Sequence, residues 1–268
     1  MKLLRQKWVC LSSDVKRQHG FTLVELMIAL TISLILLLVI GTVFTSSRQV
    51  FNVQEDNARI QENGRFALEV LGRSIKQAGY TNIPFSGTKI FFTGVPITGT
   101  DGGGGGAPDT ITIQYDGAVL DRDCGVGTPL TAADVVAGNN IIQNHFNLDV
   151  ANAQLRCEGS AAAAPPAPGA SPSGQVLLED IEDLQVLYGI DTTADQSANQ
   201  YVAVPGDWNQ VVTARVCVLI RSVRTNVASA NSSYINCNGD PVGVLADRRL
   251  RRAFAETFNL RTRINILP

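Results

Sequence analysis

The sequence predicts an α+β protein in which one long N-terminal helix, membrane-spanning in its first half, packs on a head of antiparallel β-sheet. Three observations carry this. Residues 21–47, FTLVELMIALTISLILLLVIGTVFTSS, form an apolar run with one charge in it. Beyond that run, apolar and small residues recur at helical spacing up to Ala78. From residue 81 onward the spacing changes to the alternation of strands.

The chain has 268 residues, 45% apolar and 17% charged, enough to bury a core and too apolar for a disordered chain. Its net charge of −2 removes the argument for a nucleic-acid binder acting through bulk positive charge. Only two histidines occur, His19 and His145. That scarcity argues against a multi-histidine metal site and against a Ser-His-Asp hydrolase. Charge is unevenly placed. Residues 1–20 carry five bases and the single acid Asp14, a net +4, so the other 248 residues hold −6.

The 24 residues Phe21–Phe44 rise about 36 Å as a helix, enough to cross a hydrocarbon core of about 30 Å. Bases on its N-terminal side keep residues 1–20 cytoplasmic and send the remainder across. A cleavable secretory signal fits poorly, because the run is long and no A-x-A site follows it. A plain anchor leaves Glu25 unexplained. It is the only charge between Arg17 and Arg48, and a carboxylate held deep and unpaired costs roughly 2.5–3.5 kcal/mol.

Val53, Ile60, Gly64, Ala67, Leu71, Ile75 and Ala78 define one helical face. Glu55–Arg59 and Glu69–Arg73 are i, i+4 pairs on the opposite, wet side. Gly79 is a C′ stop signal. The small seam residues Gly64 and Ala67 favour close packing on a sheet over a coiled coil. In the head, residues 110–115, 184–190, 212–220 and 254–264 alternate as strands, with Glu256 the exception on its face. Two low-complexity inserts, 101–107 with its five glycines and 160–174 (SAAAAPPAPGASPSG), interrupt a single head. The glycine run lacks the Lys-Ser/Thr of a phosphate loop.

Beyond the apolar run four cysteines remain: Cys124, Cys157, Cys217 and Cys237. An even count on the far side of a membrane implies two disulfides. Of three connectivities, Cys124–Cys157 with Cys217–Cys237 is favoured, because each bridge closes an insertion between strands. No C-x-x-C occurs, which disfavours zinc. The acids at 121–123, 179–183 and 191–195 follow no calcium template and read as solvated faces or strand ends. Arg248, Arg249, Arg251 and Arg252 form one basic cluster, read either as a subunit contact with the acidic segment or as protection of the last strand.

The string Gly20-Phe21-Thr22-Leu23-Val24-Glu25 resembles the N-terminal signal of type IV pilins and type II secretion pseudopilins. The segments ARIQENGRFALEVLGRSIKQAGY (58–80), EDIEDLQVLYGID (179–191) and FNLRTRINIL (258–267) resemble the PilW group of type IV minor pilins, related to J-type pseudopilins. The resemblance implies a type IV pilin-like fold. Residues 1–20 are then a cleaved leader, 21–47 a transmembrane and fibre-core helix, 48–79 its amphipathic continuation, and 80–268 the head. It implies cleavage by prepilin peptidase between Gly20 and Phe21, N-methylation of Phe21, and a role for Glu25 in assembly register, paired with the N-terminal amine of a neighbouring subunit.

The implied role is non-enzymatic and uses no cofactor or metal. The chain would be a minor pilin that helps prime pilus assembly near the tip, in support of twitching motility and adhesion. Its partners would be other minor pilins, the major pilin, the peptidase, inner-membrane lipid and the assembly platform. It would reside in the bacterial inner membrane with a periplasmic head, then in the extracellular pilus. Two alternatives stand beside it, a J-like pseudopilin of type II secretion and an anchored periplasmic binding protein. Only the last predicts that Glu25→Ala leaves function intact.

Overall fold

The apolar-then-amphipathic pattern becomes one helix, α1, over Leu23–Gln77. In this computed structural model, residues 20–81, 92, 94–103, 107–125, 129–136, 140–161, 174–243 and 245–263 are described. The leader with Cys10 and His19, Gly104–Gly106, residues 162–173 and the tail from Ile264 lie outside the described residues. The chain divides between Val50 and Phe51 into two units.

In the first unit every described residue is exposed, and the apolar side chains from Phe21 to Phe44 clothe the helix on all sides. Its hydroxyls turn inward on the backbone. Thr31 donates to the Ile28 carbonyl at 2.9 Å, Ser33 to Ala29 at 2.7 Å and Thr42 to Val39 at 2.8 Å. A helix with its polar groups satisfied internally suits hydrocarbon, and this one is long and apolar enough to cross a membrane.

In the second unit α1 buries Asp56, Ile60, Gly64, Ala67, Leu68, Leu71, Gly72, Ser74 and Ile75. These are the expected seam plus its two flanks; Val53 is half-buried. The wet-side pairs form at 2.9 Å (Arg59–Glu55) and 3.0 Å (Arg73–Glu69). Gly79 ends the helix at φ +70°, a left-handed conformation that glycine adopts without strain. Its N–H donates to the Gln114 carbonyl at 2.8 Å.

Two antiparallel sheets make the head. The first is a meander of β1 (Ile97–Thr100), β2 (Thr110–Asp116), β3 (Ile141–Asp149), β4 (Gln154–Ala161) and β5 (Gln175–Glu179), paired in that order. The second contains β6 (Ile181–Ile190), β7 (Gln200–Val202), β8 (Val211–Arg221) and β11 (Arg251–Asn259), in the order β11-β8-β6-β7. A two-stranded ribbon, β9 (Ser233–Ile235) with β10 (Pro241–Gly243), lies between β8 and β11 in sequence, and a short helix α2 (Ala132–Val136) precedes β3. One continuous core joins Ile60, Leu71 and Ile75 of α1 to Ile111, Ile113, Phe146 and Leu155 of the first sheet and Leu184, Val186, Val216 and Val218 of the second.

The last strand differs from expectation. It runs Arg251–Asn259 and then gives way to a 3-10 turn at Arg261–Arg263, not a strand to residue 264. Its partner β8 begins at Val211, and the pairing reaches only Asn259 with Thr213. Beyond it, Thr262 donates its hydroxyl to the Ala78 carbonyl at the end of α1. Helix capping thus takes over where strand pairing runs out.

Gly64 and Gly72 explain the small seam. A Cβ on Gly64 would stand 2.5 Å from the Phe254 ring, and one on Gly72 would overlap the Phe258 ring. Phe258 is only 4% exposed, with Lys76 over its face at 5.3 Å, so this ring has little room to move. Gly72→Ala gains about 1 kcal/mol of helix propensity but incurs about 1–3 kcal/mol of overpacking. The expected result is a melting temperature lower by roughly 2–4 °C. A rise on thermal unfolding would sink the close-packing argument.

Candidate functional site

Gly20 is exposed, with no atom within 4 Å of where a side chain would begin. Phe21 is 83% exposed beside it. A peptide bond flanked by a bare glycine and an unpacked aromatic is open to a protease. Thr22 then caps the helix. Its hydroxyl accepts the Glu25 N–H at 3.2 Å, and its carbonyl accepts the Leu26 N–H at 3.1 Å.

Thr22 is a residue the sequence reasoning missed, although its signal was present. Thr-x-x-Glu ahead of an apolar run is the capping-box pattern. It puts Glu25 in the first turn of α1, where the helix dipole favours a negative charge. The three predicted processing and assembly residues, Gly20, Phe21 and Glu25, are therefore gathered around one exposed helix start.

In the head, Cys124 pairs with Cys157 and Cys217 with Cys237, at Cα separations of 5.9 and 5.6 Å. The first bridge ties the loop after β2 to β4. The second holds the segment after β8 against the face of β8 away from α1. Closing loops of 33 and 20 residues, each contributes about 3–4 kcal/mol in the chain-entropy account. Among the described residues no group of three or more His, Cys, Asp or Glu side chains could hold a metal ion.

The basic and acidic clusters meet within the chain. Arg251, with a side chain 1% exposed, binds Glu182 at 2.6 Å and Asp247 at 2.7 Å. Arg221 reaches Asp180 at 3.3 Å and Glu182 at 3.4 Å. Arg249 lies 3.9 Å from Asp180. Of the two readings of the 179–183 acids, this removes the solvated face and agrees with the strand end, since β5 stops at Glu179 and β6 starts at Ile181. Burial at the start of β6 needs paired charge, and the arginines at the ends of β8 and β11 are brought beside it by the strand register.

Hydrogen bonds from Arg251 hold the Asp247 carboxyl below its ordinary range. Burial pushes Asp109 and Asp183 the other way. Asp109 uses its buried carboxylate to accept N–H groups from Gly102 at 2.9 Å and Val186 at 2.7 Å, which ties the β1–β2 loop to β6.

A third cluster fixes the β8–β9 connection to α1. Arg224 binds Glu55 at 2.6 Å and the buried Asp56 at 3.0 Å. Beside it a groove of about 630 Å³ is walled by Arg59, Asn63, Val176, Glu179 and Arg221. Its walls mix both charge signs, with no convergent catalytic pair.

Comparison with known proteins places two family models on the chain. Residues 15–41 match the prokaryotic N-terminal methylation motif, and residues 141–262 match the type IV pilus-assembly protein W. The second match runs from β3 through the whole of the second sheet. No curated protein matches. Among solved structures, a type IV-like pilin from Thermus thermophilus is 12% identical, covering 77% of this chain and 98% of its own, at a TM-score of 0.46. A binary complex of two pseudopilins from the type 2 secretion system of Vibrio vulnificus is 13% identical, covering 76% and 98%, at 0.35.

Proposed function

We propose that this chain, whose residues 141–262 match the type IV pilus-assembly protein W and whose residues 15–41 match the N-terminal methylation motif, is a minor pilin with a structural, non-enzymatic role. It helps prime assembly of the fibre in a complex with other minor pilins, close to the tip, and so supports motility and adhesion. Prepilin peptidase cuts between Gly20 and Phe21 and methylates the new amine. Residues 21–47 hold the subunit in the inner membrane, with the head periplasmic, until the assembly platform draws it into the pilus beside the major pilin.

Glu25 then needs a partner. A carboxylate moved from a membrane boundary into an apolar helical bundle must be neutralised or paired, and the N-terminal amine of a neighbouring subunit supplies the opposite charge. The observation that carries this reading is the presence on one chain of the methylation motif and the assembly-protein domain. The two disulfides agree with a head on the oxidising side.

Mass spectrometry of the membrane-extracted chain, from cells with and without the peptidase, tests it. The expected N-terminus is methylated Phe21 with the peptidase and the intact leader without it. A chain that keeps residues 1–20 in both, or is cut after residue 47, overturns the assignment.

A further inference from the structure

Between Glu25 and Arg48 the helix carries no charge. Every hydroxyl from there to Thr45 bonds back to the helix's own carbonyls, Thr45 itself reaching Thr42 at 2.9 Å. At Arg48 that pattern stops. Its guanidinium carbon stands 4.5 Å from the centroid of the Phe44 ring, one turn back, and both side chains are exposed. A cation over a ring is stabilised by the π face, while the planar guanidinium keeps donors suited to phosphate. An apolar stem below a charged head, beside an aromatic, is the composition of a membrane-interface anchor.

We propose that Phe44 and Arg48 form the periplasmic interface anchor of this helix, with Arg48 bound to phospholipid phosphates, and that the anchor places Glu25 at the opposite edge of the hydrocarbon. The inference rests on the membrane-anchored reading above. The spacing supports it. From Glu25 to Phe44 the helix rises about 28 Å, against a hydrocarbon thickness of about 30 Å. With Phe44 at one boundary, Glu25 arrives at the other.

Two consequences follow for the stored subunit. Its carboxylate remains in the hydrated headgroup layer, so storage needs no partner for Glu25. The demand for a partner begins only when the helix is drawn toward the periplasm. Arg48 carries its ring with it and keeps that contact as it leaves the phosphates.

The test uses the full chain in phosphatidylethanolamine/phosphatidylglycerol vesicles containing lipids brominated either near the headgroup or near the bilayer centre. Phe44→Trp, made in a chain that also carries Trp8→Phe, preserves the aromatic and reports its depth; Trp208, in the head, is the background. The expected result is at least threefold stronger quenching by the shallow bromines, and a shift toward the deep bromines when Arg48→Ala is added. Glu25→Ala is expected to change the inserted fraction by less than twofold, whereas a carboxylate at mid-membrane would change it by about a hundredfold. Stronger quenching by the deep bromines in Phe44→Trp, no shift with Arg48→Ala, or a hundredfold effect of Glu25→Ala each overturns the anchor while leaving the span in place. No quenching at either depth overturns the membrane reading itself.

Discussion

Arg251→Ala is expected to lower the stability of the head by about 3–5 kcal/mol. The guanidinium is almost completely enclosed and makes two pairs of hydrogen bonds, at 2.6 and 2.9 Å to Glu182 and at 2.9 and 2.7 Å to Asp247. Its carbon also lies 5.7 Å from the Tyr234 ring. Removing it leaves two half-buried carboxylates facing each other. Arg221 touches Glu182 only at 3.4 Å, so it relieves part of this cost and favours the lower end of the range. Thermal unfolding should show a fall of roughly 10 °C, at about 2–4 °C per kcal/mol for a domain of this size. A fall below about 2 °C would show that the pairs merely offset their own desolvation.

The same cluster fixes a pH dependence. The folded-state pKa of Asp247 is lowered from its ordinary 3.8, first by the hydrogen bond from Arg251. Its contribution is therefore fully present above pH 3.8 and is lost as the pH falls below that value through the lowered one. Asp109 and Asp183, raised by burial, act in the opposite sense, and their contribution declines as the pH rises from 3.8 through their folded values. In Arg251→Ala the acid-side loss should shrink, because the partner that lowered Asp247 is gone.

The helix and four strands were legible in the sequence because their physics is local. Alternation marked β2, β6, β8 and β11, and the 3.6-residue seam marked the buried face of α1 as far as Ala78. The strands β3 and β4 were not legible. Gln143 is 2% exposed and Asn144 6%, so both faces of β3 carry polar residues and the alternation that announces a strand is absent. The Gln143 side-chain carbonyl accepts from Gln114 across the strands at 2.7 Å and that of Asn144 accepts the Cys124 N–H of a distant loop at 2.9 Å, and pairing of that kind is invisible in a linear string. The strand end at Asn259 goes with the turn that brings the Thr262 hydroxyl to the Ala78 carbonyl, a partner 184 residues away in the chain. The arginine–acid cluster was visible as two runs of charge. That they meet in one chain followed from register, which composition does not encode.

Glu25→Ala is expected to remove the subunit from fibres while leaving it folded. The residue is exposed in the first turn of α1, in the unit that ends at Val50, so the melting temperature of the head should not move. Two roles for the carboxylate compete, and their magnitudes separate them. As a charge in the first turn of the capped helix, beside Thr22, it contributes about 0.3–1 kcal/mol, too little to abolish assembly. As half of an ion pair in an apolar bundle, its removal leaves the partner amine uncompensated at about 3–5 kcal/mol per subunit. At 1.4 kcal/mol per factor of ten, that is a drop in incorporation of a hundredfold or more. Glu25→Gln distinguishes the two, since it keeps a polar acceptor at the same place and loses the charge. If pairing is the cause, sheared fibres from cells producing only the Gln variant should lack the protein as completely as those with Ala. If Gln is incorporated normally and Ala is not, the hydrogen-bonding role carries the effect. If both are incorporated at the parental level, the carboxylate has no part in assembly, and the chain behaves as an ordinary anchored protein.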